Sequence, residues 1–158
     1  MLALGQWGVN VSVEQGIGFA KVDYQDLNAK QREVYNFHFI AARLAQYGYA
    51  SYPIRDDWNG GDMFSRHMLS GQALTVQIKS RATFDKKYLG KDLHIGFPLG
   101  EAVFVYPHDQ VLSSYMAGRT ARGLPLDDNQ AWSRDGLVHW VNPTKEIMGL
   151  LKPYELAP

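Results

Sequence analysis

Between Asn28 and Tyr47 the apolar residues Val34, Phe37, Ile40, Ala41 and Leu44 recur at helical spacing, with Asn28 placed to cap the start and Gly48 to end it. Beyond Gly48 the period changes to two. Tyr49 to Arg55, Asp62 to Met68 and Ala73 to Arg81 read as three successive strands, separated by the turn signals at 56–61 and 70–72. Leu93 to Phe97 and Glu101 to Tyr106 add two more strands around Pro98-Leu99-Gly100. A helix is expected from Asp109 to Met116, a long polar loop from Arg119 to Asp135, and a last strand from Leu137 to Val141. Asn142-Pro143 opens a final helix carrying Ile147, Met148, Leu150 and Leu151. Near the start, Val9, Val11 and Val13 alternate weakly in a glycine-rich stretch, which predicts an arm or short strand over residues 1–25. The pattern predicts one α/β domain over residues 1–158, with a core at about 28–116, a C-terminal strand and helix at about 137–156, and a central mixed sheet flanked by helices.

Composition narrows the function classes. A chain of 158 residues with 46 % hydrophobic and 20 % charged residues buries a core and is not of the disordered class. No apolar run approaches the roughly 18 residues that span a bilayer. Met1 to Gln6 lacks both a basic start and a continuous apolar segment, so neither a membrane partner nor a secretory leader is expected. Cysteine is absent, which excludes disulfides, thiolate metal sites and Cys nucleophiles and fits a cytoplasmic location. A formal net charge of zero argues against indiscriminate DNA coating. The distribution is uneven: Lys79, Arg81, Lys86, Lys87 and Lys91 face Asp85 alone, and Arg119 and Arg122 form a second basic group.

Those charges gain meaning from the third strand. Alternation puts Gln77, Lys79 and Arg81 on the face opposite Leu74, Val76 and Ile78. Fourteen residues lie between Asp62 and Gln77, enough to finish one strand, turn and return, so an antiparallel pair would bring the two side by side. Cleaving a phosphodiester requires a water nucleophile, charge neutralisation and help for the leaving oxygen. Mg²⁺ or Mn²⁺ supplies these when a few oxygens hold it. Asp62, Gln77 and the Ile78 carbonyl are the expected ligands, and Lys79 is placed to serve the water. Glu33 falls in line with Phe37, Ile40 and Leu44, where a buried carboxylate needs a metal, a lysine or several donors. It is a further expected ligand or catalytic group.

The succession of a helix with Glu33, a strand, Gly60-Gly61-Asp62, a strand and Gln77-Ile78-Lys79 resembles the PD-(D/E)xK phosphodiesterase superfamily. The resemblance covers roughly Asn28 to Met116. It implies a restriction endonuclease-like core, also found in archaeal Holliday-junction resolvases, in the order helix, three strands, helix, strand. It implies metal-dependent DNA cleavage by Asp62, Gln77, Lys79 and Glu33. Two departures stand out: no proline precedes Asp62, and Gln77 replaces an acidic residue, a weaker Mg²⁺ ligand.

On this reading Arg81, Lys86, Lys87, Lys91, Arg119 and Arg122 contact DNA phosphates. A homodimer is expected, because one small domain cutting both strands of a duplex needs a second copy. The competing expectation is a non-catalytic nucleic-acid-binding or assembly module with the same fold. His38, His67, His94, His108 and His139 show no metal-ligand spacing, and Trp58 and Trp132 read first as packing residues. Gly16-Ile17-Gly18 does not complete a dinucleotide signature.

Overall fold

Helix α1 (Ala29–Gln46) begins where Asn28 and Gln31 cap each other: each side-chain oxygen accepts the other's backbone N–H at 2.9 Å. In the computed structural model, which describes residues 19–127 and 130–158, α1 buries Asn36, Ile40 and Leu44. Val9, Val11, Val13, the Gly16-Ile17-Gly18 run and Asp128 lie outside the described residues. The described part of the expected arm carries a 3-10 turn at Tyr24–Asp26.

Strands β1 (Tyr49–Trp58), β2 (Gly61–His67) and β3 (Ala73–Ile78) form an antiparallel meander. β4 (Ala82–Asp85) leaves the sheet, then β5 (His94–Leu99) returns parallel to β3 and β6 (Ala102–Pro107) pairs antiparallel with β5. After helices α2 (His108–Ala121) and α3 (Ala131–Asp135), β7 (Leu137–Trp140) pairs with β4. Helix α4 (Lys145–Leu151) and the short β8 (Glu155–Leu156), which pairs with β6, close the order. The result is an α/β protein with a mixed six-stranded sheet, β1-β2-β3-β5-β6-β8, and a separate β4-β7 ribbon. Two apolar clusters form. Ile40 and Leu44 of α1 pack with Met63, Leu74, Val76, Val103 and Val105. Phe84, Tyr88, Ile95, Phe97, Phe104 and Tyr106 pack with the α2, α3 and α4 residues. No described helix is long and apolar enough to cross a membrane.

Four expectations are corrected. The segment 56–58 belongs to β1 rather than to a turn, because the reversal needs only Asn59 and Gly60, with φ of 59° and 84°. A two-residue turn with both φ positive matches the twist of the flanking strands. β3 ends at Ile78, not Arg81, since the chain then swings away to build β4. No described helix lies between β3 and β5. All four residues of β4 are buried, which no one-sided helical stripe allows, and a 3-10 turn at Lys86–Tyr88 follows. Two buried side chains bolt this strand down. The Tyr106 hydroxyl donates to the Thr83 carbonyl at 2.6 Å and accepts the Thr83 N–H at 3.0 Å; burial pushes its pKa up and keeps it a donor. His108 Nε2 accepts the Asp85 N–H at 3.1 Å. Lastly, 119–135 is not one loop: α2 continues to Ala121, and the Asp127 carboxylate starts α3 by accepting the N–H groups of Ala131 and Trp132 at 2.7 and 2.9 Å.

The β1–β2 hairpin delivers Asp62, and its packing is tight at Gly61, where an added Cβ would lie 2.4 Å from Thr75 Cγ2. Gly61→Ala is expected to cost about 1–3 kcal/mol in denaturant unfolding. Thr75→Ser, which deletes that methyl group, should recover most of the loss in the double variant. An additive double variant would refute this account of the clash.

Candidate active site

The ladder between β2 and β3 runs from Arg66↔Ala73 to Met63↔Val76. One residue further, side-chain chemistry takes over. The Asp62 carboxylate Oδ2 accepts the backbone N–H of Ile78 at 2.8 Å and also accepts from the Gln77 amide. Gln77 Nε2 lies 3.3 Å from the Ile78 carbonyl oxygen as well. On its other side β3 stays anchored, because the Lys79 N–H donates to the Gly96 carbonyl at 2.8 Å. Asp62, Gln77 and Ile78 are therefore brought together, by the register the spacing implied. All three are half-buried.

Two depressions meet at this point, with the Asp62–Gln77 contact between them. One, about 460 Å³, is bordered by Asp62 and Ile78 together with Glu33, Val34, Phe37 and His38 of α1. The other, about 410 Å³, is bordered by Gln77, Lys79, Lys87, Tyr88 and Lys91 with the Asn59-Gly60 turn. A third, about 480 Å³, joins Glu33 and Asn36 to Ile78, Lys79, Ser80 and Arg81. A smaller one continues from Lys79 and Arg81 to His139. Lys79 borders the last three.

The oxygens suit a hard divalent ion. Gln77 Nε2 sits between the Asp62 carboxylate and the Ile78 carbonyl, a place where two oxygens face one positive partner. Half a turn of the amide presents its oxygen there instead. A carboxylate, a carbonyl and an amide oxygen with room for water fit Mg²⁺ or Mn²⁺ and not a soft metal. The set is lean: among the described residues no three His, Cys, Asp or Glu side chains gather as a metal group.

Glu33 departs from expectation. It is not buried in the apolar stripe; its side chain is 60 % exposed and pairs with Lys30 at 2.8 Å. The stripe turns inward one turn later, at Asn36 and Ile40, so Glu33 stands at the rim of two depressions. The basic residues also divide. Arg81 stays with Lys79, and Lys91 borders the Gln77 depression. Lys87 pairs with Asp85 at 3.2 Å, and that hydrogen bond holds its pKa above the ordinary lysine value. Lys86 lies over the Trp132 ring, 5.2 Å from its centroid, so Trp132 is a buried packing residue as expected. Arg119 and Arg122 are not free loop cations. Both pair with Glu146 of α4, and they donate to the Pro125 and Gly118 carbonyls at 2.6 and 3.0 Å.

Sequence reasoning missed three residues. Asn36 is 4 % exposed, donates to the Tyr24 hydroxyl at 3.1 Å and leaves Oδ1 without a partner among the described residues. His38, set aside for want of metal-ligand spacing, is exposed and borders the Asp62 depression. Tyr88 lies under two ammonium groups, Lys79 Nζ at 5.3 Å and Lys87 Nζ at 5.0 Å from the ring centroid. Only Asn36 left a trace beforehand, as a polar residue three positions after Glu33 beside the apolar stripe. Comparison of the chain with protein-family models, curated proteins and solved structures finds no match.

The division of basic residues has a measurable consequence. The Arg119 side chain is 11 % exposed and Glu146 25 %. Arg119→Ala should lower unfolding stability by about 1–3 kcal/mol, since Glu146 and the Pro125 carbonyl lose a donor. Lys91→Ala should stay within about 0.5 kcal/mol. Thermal or denaturant unfolding of the two variants checks this; equal losses would erase the distinction between structural arginines and available lysines.

Proposed function

We propose that this chain is a metal-dependent DNA endonuclease of restriction endonuclease-like type, hydrolysing phosphodiester bonds at the end of β3. The observation that carries the reading is the meeting of Asp62, Gln77 and the Ile78 carbonyl, with Lys79 and Glu33 bordering the same surface. A helix, a three-stranded meander and a mixed sheet agree with the expected order as far as β3. The strand β4 stands where that order has a helix.

Asp62, Gln77 and the Ile78 carbonyl would hold Mg²⁺ or Mn²⁺. When bound, the ion neutralises phosphate charge and acidifies water. The chain's own groups do the rest. The Ile78 N–H holds the Asp62 carboxylate in line with β3, so its orientation is set before substrate arrives. Lys79 orients the attacking water and offsets the charge that grows on the phosphate oxygens. Glu33, exposed at the rim, accepts a hydrogen bond from that water. Attack by water forms a new P–O bond, one ester P–O bond breaks, and the proton that the water gives up ends on the departing oxygen. Arg81, Lys87 and Lys91 supply phosphate contacts, while Lys86, Arg119 and Arg122 serve chiefly the fold. Cutting both strands of a duplex calls for a homodimer.

The lean ligand set favours one alternative, a DNA-binding module of the same fold without turnover. Plasmid and oligonucleotide cleavage with and without Mg²⁺ or Mn²⁺ separates the two. Lys79→Ala is expected to lower the cleavage rate by about 10²–10⁴-fold while the melting temperature, and the affinity for DNA without phosphorylated ends, stay near those of the parent protein. Undiminished metal-dependent cutting by that variant would remove the mechanism. Absence of cutting by the parent protein, with Asp62-dependent Mn²⁺ binding also absent, would leave the module.

A further inference from the structure

The depression on the Lys79 side of the Asp62–Gln77 contact has a charge pattern that metal binding alone does not require. Lys79 and Lys87 hold their ammonium groups over one ring, that of Tyr88. Lys91 joins them. A Cβ added at Gly60 would lie 3.7 Å from Lys91 Nζ and 3.7 Å from Tyr88 Cε1, so the third ammonium and the ring border the same space beside the hairpin tip. The Asn59 side chain donates to the Lys91 carbonyl at 3.3 Å and ties the hairpin tip to this wall. Gly60, with φ of 84°, serves the turn and keeps the space open.

Three like charges converging on about 410 Å³ repel one another unless an anion joins them. Among the described residues that border the depression none carries a carboxylate; the Asp62 carboxylate lies behind the Gln77 amide. Asp85, behind it, compensates Lys87 at 3.2 Å. Among the described residues Lys79 and Lys91 form no ion pair. Lys79 and Lys91 therefore stand without an ionic partner among the described residues, beside the amides of Asn59 and Gln77. An internal phosphodiester, with one negative charge, matches half of their joint charge. A phosphomonoester, at about −1.5 to −2 near pH 7, matches it in full.

We propose that this depression is a subsite for a phosphomonoester dianion, the terminal phosphate of a nucleic acid strand whose neighbouring linkage lies at Asp62 and Gln77. The identity of the carrier rests on the nuclease reading; the affinity for phosphate does not. The substrate class becomes strands with a phosphorylated end, and Lys79 is shared between the two phosphates.

Calorimetric titration with inorganic phosphate, in EDTA so that no metal bridges it, tests the subsite alone. At about pH 7.5 the parent protein should bind phosphate, and at about pH 5, where phosphate is a monoanion, more weakly. Lys91→Ala and Lys91→Gln, each checked for native circular dichroism, should weaken binding roughly tenfold or more. Lys152→Ala, which removes a lysine paired with Glu155 elsewhere, should not. No binding by the parent protein, or equal binding by the Lys91 variants, overturns the proposal. Oligonucleotides ended by 5′-phosphate, 3′-phosphate or hydroxyl groups then identify the carrier. One phosphorylated end should be preferred, and Lys91→Ala should bring the ratio towards one. Equal affinity for all three overturns the assignment to a strand end. Phosphate binding without any cleavage would instead count against the nuclease reading and leave the subsite standing.

Discussion

The interaction on which this surface depends is the replacement of a backbone acceptor by a carboxylate. Beyond Met63↔Val76 the β2–β3 ladder stops, and the Ile78 N–H is satisfied by Asp62 Oδ2 instead of a main-chain carbonyl. A half-buried N–H must find a partner. With a side chain in that role, β2 is free to turn into the Asn59-Gly60 hairpin while β3 keeps its other edge on β5. The carboxylate is thereby oriented by the sheet itself, and Gln77 and the Ile78 carbonyl close around the same point.

The wall opposite that point is made by the short excursion between β3 and β5. Tyr106 and His108 use buried hydrogen bonds to fasten β4 under the sheet, which forces the chain to return through Lys86–Tyr88. Burial of Tyr88 at 3 % exposure makes its ring a fixed platform for Lys79 and Lys87. Basic residues that look equivalent along the chain thus acquire different duties. Lys86 covers Trp132 and the two arginines bind Glu146, while Lys79 and Lys91 keep their ammonium groups available.

What was legible beforehand was legible for local reasons. Asn28 and Gly48 bounded α1 because caps are written in a few adjacent residues. Asp62 and Gln77 could be paired because a hairpin converts sequence separation into register. Glu33 was misplaced for an equally clear reason. Helical periodicity gives the direction of a side chain but not where along the helix the covering sheet ends, and here the cover begins one turn later. The helix expected after β3 failed because Ala82–Asp85 is buried on both sides by partners far along the chain, Trp140 to Leu137 among them.

Strand and helix periods, the caps, a reversal within 56–61 and the Asp62–Gln77 register were determined by the sequence alone, since each follows from interactions among near neighbours or across a single hairpin. Tertiary structure decided which charges are spent. Whether a lysine meets Asp85, a tryptophan face or open solvent depends on contacts between distant segments, and no spacing along the chain encodes them. The three-lysine depression belongs to that second category, assembled by a hairpin tip, a strand end and a 3-10 turn that only the folded sheet brings together.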